Sequence, residues 1–218
     1  SYSGVVGTSG SNRSIMQACM KEDDLVVLDR NCHKSIEQGL MLTGARPVYM
    51  VPTRNRYGII GPIAPSEMEQ KTIRAKAEAG SLTKSVAGQK PVYAVLTNST
   101  YDGLCYNAVR AQALLEESCD RIHFDEAWYG YARFNPIYED HFAMRGDPAN
   151  HRGATVFATH STHKLLAALS QSSYIHVRDG KGAIDHHCFN QAYQMHTTTS
   201  PLYAIVASND ITSGMMDG

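Results

Sequence analysis

The chain has 218 residues and 43% hydrophobic content, enough for one large domain with a sizeable core. Its 20 Lys and Arg residues nearly cancel 21 Asp and Glu residues, and the net charge of −1 argues against a general nucleic-acid binder. No apolar run approaches the ~20 residues of a membrane span, and residues 1–10 lack the charged start and apolar core of a signal peptide.

In chain order, a Gly/Ser loop at Gly7-Thr8-Ser9-Gly10-Ser11 leads into a helix predicted over residues 12–20. The β-branched run 25–29 reads as a strand, and a helix over 35–43 ends at Gly44, a good C-cap. A strand over 47–51 follows. Ser66 and Glu69 have capping-box spacing, so one helix is expected over 66–79, closed by Gly80. A strand at 92–97 precedes a helix over 106–118 with Ala108, Ala111, Leu114 and Leu115 at helical spacing. Strands follow at 121–125 and 155–158, a helix starts at Lys164 and runs toward Leu169, and a last strand covers 174–177. Residues 178–187 read as an exposed hairpin or loop. Strands alternating with helices imply an α/β fold, a mostly parallel central sheet with helices on both faces. Ligands of such sheets bind beyond the carboxyl ends of the strands, so the polar clusters there should converge on one edge.

The five cysteines (19, 32, 105, 119 and 188) are odd in number and lack a C-x-x-C pair, which fits a reduced, cytoplasmic setting. His186-His187-Cys188 has no second ligand cluster, so no metal is expected. The first residues enter directly into a Gly/Ser loop and the last, Met215-Met216-Asp217-Gly218, complete no element. The expectation is a domain core over 1–218, cut from a longer polypeptide at both ends.

Lys164 carries the most chemistry. It follows a buried strand, stands among small and hydroxylated residues, and has no close charged neighbour in sequence. A desolvated amine is nucleophilic and a candidate Schiff-base former, although a snorkelling lysine at a helix start has the same context. Asp125 ends a strand, where its carboxylate can pair with a cationic ring nitrogen, cap a helix or bind a metal. Glu126 should point to the opposite side. Trp128 reads as an apolar wall with its indole N–H bonded. His33, past another strand, is a loop or core residue or a stacker on a flat heteroaromatic ring. His163 adjoins Lys164 and can relay a proton near neutral pH. The Thr8-Ser9 segment precedes a helix, where N–H groups and hydroxyls bind phosphate; a plain capped helix start fits equally well. A phosphate cradle, a ring stacker, a carboxylate and a lysine together describe pyridoxal 5′-phosphate.

Three segments then carry a resemblance: Asp29-Arg30-Asn31-Cys32-His33-Lys34-Ser35, Thr97-Asn98-Ser99-Thr100-Tyr101-Asp102-Gly103, and Ser161-Thr162-His163-Lys164. They resemble the bacterial fold type I decarboxylases of basic amino acids, the ornithine/lysine/arginine group, and the similarity runs over nearly the whole chain. The segment from Phe124 to Pro136 is most similar to the acid-inducible, arginine-decarboxylating members. Lysine and ornithine members typically have serine where Glu126 stands.

The resemblance implies the large cofactor-binding domain of a pyridoxal-phosphate enzyme of fold type I. Its activity would convert L-arginine to agmatine and carbon dioxide. Lys164 would hold the cofactor, Asp125 would keep its ring nitrogen protonated, and His33 would stack on the ring. Thr8, Ser9, Gly10 and Ser161 would hold the phosphate. Ala127 and Trp128 would pack beside the ring, and His163 would assist near the imine. Thr198 and Thr199 resemble a loop that family dimers place near the partner's site. The family implies a homodimer or higher homo-oligomer, with no membrane or nucleic-acid partner. Its complete members are much longer, so this chain alone is expected to have little activity. Lysine or ornithine decarboxylation, an aminotransferase of the same fold, and a non-catalytic binding or assembly module remain alternatives. Ten histidines make pH-sensitive assembly a further expectation.

Overall fold

A computed structural model describes residues 1–217. The elements are β1 (Tyr2–Gly4), α1 (Gly7–Cys19), β2 (Leu25–Asp29), α2 (Lys34–Thr43), β3 (Arg46–Met50), β4 (Pro52–Arg54), β5 (Ile60–Ile63), α3 (Pro65–Met68), α4 (Gln70–Ala79), β6 (Tyr93–Thr97), α5 (Ala108–Leu115), β7 (Arg121–Asp125), β8 (Thr155–His160), α6 (Thr162–Leu165), β9 (Ser173–Arg178), α7 (His186–Met195) and α8 (Tyr203–Asp217). Seven strands form one sheet in the order β1-β9-β8-β7-β6-β2-β3, and β4 and β5 form a separate hairpin. β3, β2, β6, β7 and β8 run parallel, while β9 is antiparallel to both of its neighbours.

The apolar alternation along each strand sorts the sheet into two buried faces. Val26, Leu28, Tyr93, Val95 and Phe157 pack with Ile15, Met16, Ile36 and Phe189 from α1, α2 and α7. Leu25, Val27, Ala94, Leu96 and Phe124 pack with Ile73, Ala77, Ala111 and Leu115 from α4 and α5. Burial on both faces explains why the strands read as continuous apolar runs. Phe157 is fully buried and stacks on Phe189, with centroids 6.1 Å apart and planes 11° off parallel. Phe157→Ala is therefore expected to cost the domain ~3–5 kcal/mol of stability in urea denaturation. A loss below about 1 kcal/mol would show that this contact does not hold α7 to the sheet.

Several expected boundaries move. The 47–51 strand becomes Arg46–Met50, and the 155–158 strand extends through His160. The Gly/Ser loop is itself helix. Gly7 turns the chain at φ +67°, and α1 starts there rather than at Asn12. The 66–79 helix breaks at Glu69, which is extended (φ −70°, ψ 139°), so the capping box does not form. A continuous helix would put Met68 and Ala77 on opposite sides, nine residues at about 100° each. The break lets Met68, Ile73 and Ala77 enter one core. The 106–118 helix shortens because Asn107 caps it at one end, accepting from Arg110 N at 2.9 Å, and residues after Leu115 turn away. Gly44 does cap α2 in the left-handed conformation, φ 72°. The helix expected from Lys164 is the four-residue α6, with Lys164 in its last turn. The 178–187 loop is shorter than expected, since Arg178 is buried within β9 and α7 begins at His186. Among the described residues no helix is long and apolar enough to cross a membrane.

Candidate active site

From β2 the chain steps outward to β3 and then crosses to β6 on the other side, which opens a crevice beyond the carboxyl ends of β2 and β6. Asp29 fixes this exit: its carboxylate accepts from Asn31 N at 2.7 Å and from Thr97 N at 3.1 Å. His33 follows as the N-cap of α2. Asp125 ends β7, and Lys164 follows β8 on α6, its N–H bonded to Ser161 O at 3.1 Å.

These side chains meet at a cavity of about 290 Å³. Its wall includes Thr8, Ser9, His33, Asp125, Ala127, Ser161, His163 and Lys164. Trp128 borders an adjoining pocket shared with His33, Asp125 and Lys164. The Lys164 Nζ lies 4.6 Å from the centroid of the Trp128 ring, and Tyr101 meets Trp128 edge-on at 5.8 Å. Burial lowers the Lys164 pKa, with the Asp125 charge opposing the shift. Burial likewise raises Asp125 from the usual carboxylate range, against its Asn12 bond and the charges of His33 and Lys164. For the amine this favours the unprotonated, nucleophilic form; for Asp125 it means that the ionised form needs a cationic partner in the cavity.

At the other end of the cavity, α1 has Val6 at its N-cap position, without a side-chain cap and without acidic residues in its first turn. The Gly7 N–H donates to Gln171 O at 2.8 Å. Thr8 and Ser161 share a hydroxyl hydrogen bond of 2.6 Å that ties this turn to the start of α6. A 13-residue helix presenting its positive end and two hydroxyls to a cavity is suited to an anion. Asp125 gives a second test of fit. It is buried, and the side chains bonded to it are neutral, Asn12 Nδ2 at 3.0 Å and Thr159 Oγ1 at 3.4 Å. A carboxylate in that setting suits a cation delivered by a ligand. The residues present therefore fit pyridoxal phosphate.

Other expected residues fall as follows. Gly10 is in the first turn but packed against Val6 and does not line the cavity. The Trp128 indole N–H is buried with no partner among the described residues, contrary to expectation. Glu126 does point to the opposite side. It is buried there and accepts from Asn98 Nδ2 at 3.0 Å and Ala143 N at 2.8 Å, and it pairs with His160 at 3.1 Å. Thr198 and Thr199 are exposed on the loop between α7 and α8. His186 and His187 open α7, where Asp185 accepts from His187 N and Cys188 N. Sequence reasoning missed Asn12, Ser35 and Thr159, the buried partners that hold Asp125 and His33.

The architecture is the large-domain fold of the fold type I pyridoxal-phosphate enzymes. Lysine decarboxylase A from Pseudomonas aeruginosa superposes with a TM-score of 0.92 at 47% identity, over 100% of this chain and 29% of that one. Serine palmitoyltransferase of Sphingomonas wittichii shares the fold at a TM-score of 0.65 and 14% identity, over 99% of this chain and 47% of that one. Residues 1–218 match the family described as Orn/Lys/Arg decarboxylase, major domain, and the chain belongs to that family. It is 73% identical over its full 218 residues to the biodegradative arginine decarboxylase of Escherichia coli strain K12. It is 49% identical over 215 residues to lysine decarboxylase LdcA of Pseudomonas aeruginosa, 97% of this chain and 28% of that protein. The chain spans 29% of the length of the arginine enzyme.

Proposed function

We propose that residues 1–218 form the core of the cofactor-binding domain of a pyridoxal-phosphate-dependent arginine decarboxylase, releasing carbon dioxide and agmatine from L-arginine. The observation that carries this reading is the shared cavity of Lys164, Asp125, His33 and the uncapped start of α1. The choice of arginine is supported by 73% identity to an arginine decarboxylase, against 49% to a lysine enzyme.

Pyridoxal phosphate, when bound, supplies an electron sink for the pair left at Cα as the carboxylate departs. Lys164 would hold it through its amine, whose lowered pKa favours the unprotonated, nucleophilic form. Asp125 would hold a proton on the ring nitrogen through its charge, at a site bonded to no competing cation. His33 accepts from Ser35 N at 3.2 Å through Nδ1, which fixes its imidazole as one wall. His163 donates from Nδ1 to Ser172 O at 2.8 Å, leaving Nε2 as its proton acceptor. The first turn of α1, Thr8, Ser9 and Ser161 would bind the phosphate. The exposed Thr198-Thr199 loop would lie toward a second copy in a homo-oligomer.

Carbon dioxide release from arginine, lysine and ornithine by the whole polypeptide containing this domain tests the reading. Arginine is expected to be preferred by at least ~100-fold in kcat/KM. A preference for lysine or ornithine would overturn the choice of substrate.

A further inference from the structure

Asp125 is the last polar group of a hydrogen-bonded line that leads away from the cavity into the sheet. Asp125, His123 and Tyr93 belong to neighbouring strands, Thr159 to the next, and all four face α1, where Asn12 is wholly buried. Asn12 Nδ2 donates to Asp125 Oδ2 at 3.0 Å and to Ser35 Oγ at 2.9 Å. The reverse orientation would set Asn12 Oδ1 against the carboxylate, so Oδ1 is the acceptor for Thr159 Oγ1 at 2.9 Å. Thr159 has one hydroxyl hydrogen, directed at Asn12 and Asp125. Toward His123 Nε2, 3.0 Å away, it therefore accepts, and Nε2 carries the hydrogen. Burial drives the His123 pKa down to about 3, so the ring is neutral and its Nδ1 is bare. Tyr93 supplies the matching donor at 2.6 Å. With Asp125 ionised, as it must be to face a cationic ring nitrogen, this is the arrangement of hydrogens that satisfies every group.

Resting on the reading of the cavity given above, we propose that His123, oriented by Tyr93, is a positioning residue for the cofactor. By donating to Thr159 it commits the threonine hydroxyl to Asn12 and Asp125. This keeps the Asn12 amide turned toward the carboxylate and the carboxylate turned toward the ring nitrogen. Through Ser35, the same Asn12 amide reaches His33, whose Nδ1 also accepts from Ser35 N. The carboxylate and the stacking ring are thus set by one buried amide. No proton moves along the line. Its role is to fix where each hydrogen stands before the ligand arrives, the preorganisation that outer partners give to an inner group.

A double-mutant cycle on cofactor affinity in the complete enzyme tests this. Equilibrium dialysis would give the Kd for pyridoxal phosphate in the wild type, His123→Leu, His123→Gln, Asp125→Asn and Asp125→Asn/His123→Leu. Leu removes the donor, whereas the Gln side-chain amide can donate from near the Nε2 position. The expected result is about tenfold weaker binding for His123→Leu, recovery for His123→Gln, and no further loss from His123→Leu once Asp125 is Asn. Steady-state kinetics on arginine should show the His123→Leu loss in kcat, with KM nearly unchanged. An equal loss from His123→Leu in both Asp125 backgrounds, or no recovery with Gln, overturns the proposal, because a purely packing role predicts both. Failure of the wild type to bind pyridoxal phosphate would overturn the reading of the cavity and the positioning role with it. Normal wild-type binding with an indifferent His123 would overturn the positioning role alone.

Discussion

Lys164→Ala is expected to lower arginine decarboxylation by roughly a thousandfold or more, since it removes the amine that would hold the cofactor. The folded domain should tolerate the change. Lys164 is half-buried in the last turn of a four-residue helix, its amine rests over Trp128, and it is absent from the ion pairs among the described residues. Burial already disfavours its charge, and Asp125, whose ionised form that charge favours, keeps its Asn12 and Thr159 hydrogen bonds when the amine is removed. A thermal unfolding midpoint close to that of the wild type, with activity abolished, is the expected pair of results. Retained turnover would refute the role assigned to Lys164. A collapse of stability would refute the claim that it is spared for chemistry.

Asp125→Asn should separate function from stability in the opposite direction. Amide and carboxylate have the same shape, so packing against Asn12 and Thr159 survives, but the negative charge that would hold the ring-nitrogen proton is lost. A fall of about a hundredfold or more in kcat is expected. In the domain without cofactor, the carboxylate is a burden. Its folded pKa is raised, chiefly by burial, so the native state binds its proton more tightly than the unfolded chain. The unfolded state then releases the proton first as pH rises. Stability contributed by this group is complete below the ordinary carboxylate pKa and is lost as pH rises through the higher folded value. Asn cannot titrate, so the variant should be at least as stable at neutral pH and should lose this part of the acidic pH dependence. Unfolding in urea at acidic and neutral pH checks the sign. A variant less stable than the wild type at neutral pH in the absence of cofactor would contradict it.

Much of the site was legible because this fold places chemistry at strand ends. Leu25–Asp29 is an apolar, β-branched run and Arg121–Asp125 a shorter pattern built on Ile122 and Phe124; both stop at an aspartate, and the loops past them carry His33 and Trp128. Burial on both faces made those runs unambiguous. The partners of Asp125 were hidden for the same reason. A threonine at 159 inside a β-branched strand is ordinary strand composition, and Asn12 beside Arg13 reads as the exposed start of a helix. A usable signal was present. His123 and Asp125 are two residues apart on a buried strand, so both must point at one face and both need a polar partner there. Gly7 through Ser11 also lacks any charge, which marks a helix start that faces protein rather than water. The break at Glu69 was unreadable locally, because it follows from where Met68 and Ala77 must go in the core. The elements β1, β4, β5 and α8 have weak local patterns and owe their form to tertiary contacts. Tyr2, for example, packs on Phe189 at 4.8 Å between ring centroids. By contrast, α7 carried a local signal in Asp185, which caps it by accepting from His187 N and Cys188 N.

The covalent address of the cofactor tests the role of Lys164 most directly. The complete polypeptide would be incubated with pyridoxal phosphate, reduced with borohydride, digested and mapped by mass spectrometry. The reduced adduct is expected on Lys164 and to be absent from the Lys164→Ala protein. An adduct on a different lysine in the wild type, with Lys164 unmodified, would contradict the assignment.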